Sequence, residues 1–204
     1  MRKLLLGAMM AGAINLAQAT ETTYTFSPTG LSSMDGENYY EWGISWNLPA
    51  GQTIVDATLT YSDIKLTTSD PNGAGTLWST LLQSPPKAGV STFTDNDNPE
   101  QNPSGAGVFL LGSQTFAAKG TMYTSLSYDF DDITGALSTL DTDVASGLFG
   151  IGIDPDCIYT NAGITLTITT QPAGTHISRM PDAASTAMLL GLAFLGIGLY
   201  RRNK

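Results

Sequence analysis

Apolar and polar side chains alternate in short runs through the middle of the chain. Tyr24 and Phe26 alternate near its start, and Ile44, Trp46 and Leu48 form a second run closed by Pro49-Ala50-Gly51. Val55, Ala57, Leu59 and Tyr61 put four apolar side chains on one face, with Asp56, Thr58 and Thr60 on the other. A period of two marks a half-buried strand. The phase slips after Tyr61, because Ile64 and Leu66 are even-numbered, and a bulge or turn near Ser62-Asp63 is predicted. Met122, Thr124, Leu126 and Tyr128 continue the pattern. Leu148 to Ile153 is a denser run with Gly150 and Gly152 inside it. Ile164, Leu166 and Ile168 close the series, with Thr165, Thr167 and Thr169 facing out.

One segment has a different period. Ile133, Leu137, Leu140 and Val144 recur at spacings of four, three and four, which predicts a short helix, with Asp131 or Asp132 to cap its start. Long polar stretches separate the strands, notably Ser69 to Thr76 and Ser91 to Ala106. Strand runs punctuated by Gly and Pro predict an all-β chain, a single antiparallel two-sheet β-sandwich of jelly-roll-like form. There is no internal repeat.

The two ends break this texture. Arg2 and Lys3 precede an apolar stretch from Leu4 to Ala13, and Ala17-Gln18-Ala19 supplies a small-x-small cleavage pattern. These three parts in order predict a signal peptide over 1–19, cut after Ala19. At the other end, 18 residues from Ala183 to Tyr200 carry no charge. As a helix they would span about 27 Å, close to the hydrocarbon core of a bilayer. Gly191, Gly196 and Gly198 make the segment marginal, and Tyr200 sits where an interfacial aromatic belongs. The basic end at Arg201, Arg202 and Lys204 should stay cytoplasmic, which leaves the rest of the chain outside. The predicted organisation is therefore a signal peptide, an ectodomain over 20–179 and a C-terminal segment over 180–204 with a transmembrane helix at about 183–200.

That C-terminal segment resembles the PEP-CTERM class of bacterial sorting signals, closest to its VPDSG-CTERM branch. In that branch a Val-Pro-Asp-Ser-Gly-Ser-Thr-like motif precedes an apolar helix and terminal arginines. Here Met180-Pro181-Asp182-Ala183-Ala184-Ser185-Thr186 stands in that place. Pro181, Asp182, Ser185 and Thr186 match; Met180 replaces Val, and Ala183-Ala184 replace Ser-Gly. The resemblance covers about 25 of the 204 residues. It implies an exported protein of a Gram-negative bacterium, held transiently in the inner membrane. A membrane transpeptidase of the exosortase type would then process it for the cell surface or extracellular matrix. It also implies association with exopolysaccharide or matrix proteins.

Charge narrows the partners. Residues 20–179 hold four basic and 17 acidic residues, a net of −13. Such a surface repels nucleic acid and anionic lipid and suits cations, neutral glycans or other proteins. Cys157 is the only cysteine, so no disulfide within the chain supports the fold. His176 is the only histidine, and neither a Gly-x-Ser-x-Gly elbow nor a histidine or cysteine cluster is present. The chain is expected to be no enzyme, with no catalytic residue and no obligatory cofactor.

Two binding chemistries are left. Hard cations take carboxylates on turns, and a structural calcium is expected at Asp154-Pro155-Asp156, with Asp154 and Asp156 as ligands. Aromatic side chains on a sandwich can carry sugars, and Tyr40, Trp42 and Trp78 are the candidates. The sequence thus predicts a structural or adhesive surface or matrix protein. The alternatives are a calcium-dependent carbohydrate-binding module and a single-pass inner-membrane protein that keeps its anchor.

Overall fold

The computed structural model describes residues 20–68, 74–95 and 101–174. The signal peptide, the sorting motif, the apolar helix and the basic end all lie outside them. Among the described residues no helix is long and apolar enough to cross a membrane.

The chain folds into two antiparallel sheets packed face to face. Its elements run β1 (Thr22–Phe26), β2 (Ser33–Met34), β3 (Asn38–Ser45), β4 (Gln52–Thr68), β5 (Gly75–Leu82), β6 (Gly89–Thr94), β7 (Val108–Phe116), β8 (Met122–Asp129), α1 (Ala136–Val144), β9 (Leu148–Pro155), β10 (Ile158–Thr160) and β11 (Gly163–Pro172). In the first sheet the 17-residue β4 pairs with β11 and β10 along one edge and with β8 along the other. There β1 extends β11, and β2 extends β10. The second sheet has the order β6-β3-β9-β5-β7. The chain crosses from one sheet to the other repeatedly, so most pairings join residues distant in sequence.

The inner faces are the alternating apolar positions. Leu59, Tyr61, Leu66, Ile164, Leu166 and Ile168 from the first sheet meet Leu77, Leu81, Phe149, Ile151 and Ile153 from the second. Each such side chain contributes roughly 1.5–3 kcal/mol when fully buried. A core of this extent holds a domain of this size without a disulfide. One polar bond crosses it: Tyr61 and Ser79, both fully buried, join through their hydroxyls at 2.7 Å.

The predicted phase slip is present and shared. Asp63 takes φ 47°, and the inward set changes from Leu59 and Tyr61 to Ile64 and Leu66. The neighbouring strands change phase at the same level. In β8 the inward residues are Leu126 and then Tyr123, while Met122 is 54% exposed, so the expected Met122-Thr124 face points outward. A second irregularity was not visible in the sequence. The β4–β11 register shifts between Thr169 and Thr170, which skips Val55 and puts Ile54 against the core instead.

The predicted helix is α1, which buries Ala136, Leu140 and Val144. Its start differs from expectation. Gly135, at φ 90°, is the N-cap and no side chain caps the helix, while the Asp131 N–H bonds the Asp129 carboxylate in a local turn.

Candidate ligand face

Alternation along β9 turns Phe149, Ile151 and Ile153 inward, and so turns Gly150, Gly152 and Asp154 to the outer face of the second sheet. On β5 the same rule turns Leu77, Ser79 and Leu81 inward and Trp78 outward. Register then builds a row across the sheet. Trp78 pairs with Asp154 on one side and Ser113 on the other. Tyr40 pairs with Ile153, so one step further along that register Tyr39 stands beside Asp154. Tyr39 pairs with Phe93, and their rings stack at 5.1 Å and 15°. A carboxylate thus lies between a half-buried tryptophan and a stacked aromatic pair.

Asn102 and Pro103, between β6 and β7, lie over this row. A Cβ on Gly152 would stand 2.8 Å from Pro103 Cδ, and one on Gly43 would overlap the Lys87 carbonyl. Only glycine admits the covering loops this close to the strands. Two hydrogen bonds fasten the longer loop. The Asn102 N–H donates to Asp154 Oδ2 at 2.6 Å, and the Asn102 side-chain amide donates to Asp95 Oδ1 at 2.9 Å.

Asp154 is consequently 1% exposed, and its Oδ1 is buried with no hydrogen-bond partner. Burial pushes its pKa up to about 7; the Asn102 N–H pulls it back, and the charges of Asp95 and Asp156 push it further up. Burial also raises Glu41, on the same face, and raises Tyr39, with the Glu41, Asp95 and Asp154 charges adding to the latter. The ensemble calls for a proton, a cation or hydrogen-bond donors.

The other expected site residues fall in different places. Asp156 accepts the Thr76 N–H at 2.5 Å and the Tyr159 hydroxyl at 3.4 Å, under the edge of β5. Tyr40 and Trp42 face the core, at 8% and 4% exposed, and the Tyr40 hydroxyl accepts the Asp35 N–H. A sugar stacks on an exposed ring face, which neither offers here; Tyr39, Phe93 and Trp78 are aromatics on the outer side. The stretch Tyr39-Tyr40-Glu41-Trp42 is aromatic in both phases. Its inward phase was nevertheless signalled by Ile44, which shares the parity of Tyr40 and Trp42.

A carboxylate group that sequence reasoning missed lies on the outer face of the first sheet. Asp56, Asp129 and Asp131 bring ligand-type oxygens within 4.8 Å of one another. The pairing of Thr58 with Asp129 brings β4 and β8 together there, and no spacing in the sequence announces it. Asp56 is half-buried and the other two are exposed.

Comparison of the chain with protein-family models and with curated proteins gives no match.

Proposed function

We propose that the protein is an exported component of the bacterial surface or matrix. In this reading its C-terminal signal sorts it, and its sandwich plays a structural or adhesive role on exopolysaccharide. The observation that carries the adhesive part is the row Tyr39, Asp154 and Trp78 on one outer sheet face. Tyr39 and Trp78 offer the stacking surface a neutral sugar needs, and the buried Asp154 fastens the Asn102 loop between them. The tail and signal-peptide patterns carry the sorting part. The strand orders, with β3-β9-β5-β7 facing β4 and its neighbours, support reading the sandwich as a jelly roll.

Two experiments test the two parts. Intact-mass analysis of the protein from its native host should show loss of the residues beyond about Thr186 and recovery in the matrix fraction. Retention of Arg201 and Arg202 in the inner membrane would instead establish a permanent anchor. Against a polysaccharide array the full chain should bind, and Trp78→Ala should weaken that binding; a silent array removes the adhesive role.

The second reading, a calcium-dependent carbohydrate-binding module, is favoured by the unpartnered Oδ1 of Asp154 within the field of Asp95 and Asp156. Millimolar calcium should then raise the melting temperature and EDTA lower it. A melting curve indifferent to both rejects the ion.

A further inference from the structure

Asp143 lies in the last turn of α1, where the negative end of the helix dipole opposes a carboxylate. No basic residue occupies that turn. Asp143 is also only 3% exposed, and its Oδ2 is buried without a hydrogen-bond partner. Burial pushes its pKa up to about 6. A leucine or asparagine would be easier to accommodate here, so the fold itself gives no reason for the acid.

The residue opens on a depression of about 430 Å³ between α1 and the start of β7. Ser138, Thr139, Thr142 and Asp143 recur on one helix face and form one wall; Gln83 and Phe109 stand across from them. The hydroxyl protons of the wall are already used. Ser138 and Thr139 both donate to the Gly135 carbonyl at 2.9 Å, and Thr142 donates to the Ser138 carbonyl at 2.9 Å. Their oxygens are left to accept, as is the carboxylate. The wall therefore requires a ligand rich in donors. Phe109 adds an apolar ring, and the volume lies within the range of small-molecule sites, roughly 300–1,000 Å³. A single carboxylate is a poor cage for a hard cation, which prefers several. Hydroxyl donors with an apolar C–H face describe a neutral pyranose.

We propose that this depression is a saccharide subsite, in which Asp143 and the hydroxyls of α1 accept hydrogen bonds from the hydroxyls of a neutral sugar packed on Phe109. The proposal rests on the exopolysaccharide reading and places a contact for it away from Trp78. A smaller depression of about 220 Å³, bearing Glu41, shares Gln83 and Gly107 with it. The two adjoin across the hydrogen bond from the Gln83 N–H to the Gly107 carbonyl. An extended chain of sugars could run from one into the other.

The test is calorimetric titration of the full-length protein with cellopentaose, maltopentaose and mannopentaose, with spermine and calcium chloride as controls. At least one pentaose should bind. Asp143→Asn and Thr142→Val should each weaken it at least tenfold, while Lys119→Ala, at an exposed residue outside both sites, changes it less than twofold. Asp143→Asn removes a buried charge, so its melting temperature should not fall, and lost binding cannot be blamed on unfolding. Pentaose binding that survives both α1 variants overturns the subsite; if Trp78→Ala abolishes that binding, the adhesive reading stands without it. Binding of spermine with no pentaose bound also overturns the subsite. The adhesive reading is judged separately, by the polysaccharide array.

Discussion

Replacing Asp154 with asparagine should stabilise the protein at neutral pH and flatten its acid profile. The asparagine oxygen can still accept the Asn102 N–H, so the loop stays fastened, but the charge is gone. The folded pKa is about 7 against 3.8 for a free side chain. At ~1.36 kcal/mol per unit, keeping the group ionised in the fold costs about 4 kcal/mol. Well below pH 4 both folded and unfolded chains hold the proton and Asp154 has no effect. As pH rises from there to 7, the unfolded chain gives up the proton and the folded chain keeps it, so stability falls; above 7 the penalty is level. Between pH 5 and pH 7 the fall is roughly 2 kcal/mol. In a domain of this size that lowers the melting temperature by roughly 4–8 °C. Asp143, held up at about 6 by burial, acts in the same sense, and its share should remain in the variant. The assay is thermal unfolding in EDTA at pH 5, 6, 7 and 8, for wild type and Asp154→Asn. Parallel pH profiles, or a variant less stable than wild type at pH 8, would refute the buried, unpaired carboxylate.

Substitutions at three further places probe the scaffold. Tyr61→Phe leaves the buried Ser79 hydroxyl without its 2.7 Å partner and should cost about 1–2 kcal/mol by denaturant unfolding, with Tyr61→Phe/Ser79→Ala recovering part of it. Asp63→Gly relieves a left-handed residue at φ 47° and should raise stability by about 0.5–1 kcal/mol, whereas Asp63→Val should lower it. Gly43→Ala drives a methyl into the Lys87 carbonyl, so faster hydrogen exchange should appear in the connection from β5 to β6, and unchanged exchange there would show that the loop does not rest on the sheet.

Parts of the ligand face could be read in advance. Asp154 and Trp78 stood out as a turn carboxylate and an isolated aromatic, but their adjacency depends on the β5–β9 register, which joins residues 76 positions apart. The inward direction of Tyr40 and Trp42 was implied by the parity of Ile44. Its outward complement, Tyr39 beside Asp154, required the sheet. The spacing of Ile133, Leu137, Leu140 and Val144 gives no sign that Asp143 is buried, because burial of that face depends on the strands packed against the helix.

Local chemistry alone did not determine β2, β5, β6, β7 or β10, but it did determine β1, β4, β8, β9 and β11, the helix and the phase slip at Asp63. Each depends on side-chain period or a single backbone angle, and these act over a few residues. The sequence also carries the whole case for export and sorting, through patterns at its two ends. Tertiary structure decided the bulge that trades Val55 for Ile54, the meeting of Asp56 with Asp129, the lid over Asp154 and the depression at Asp143. Each of these comes from register between distant strands or from a loop crossing a sheet. Such matches are set by how the entire core packs, and no short window of sequence contains that information.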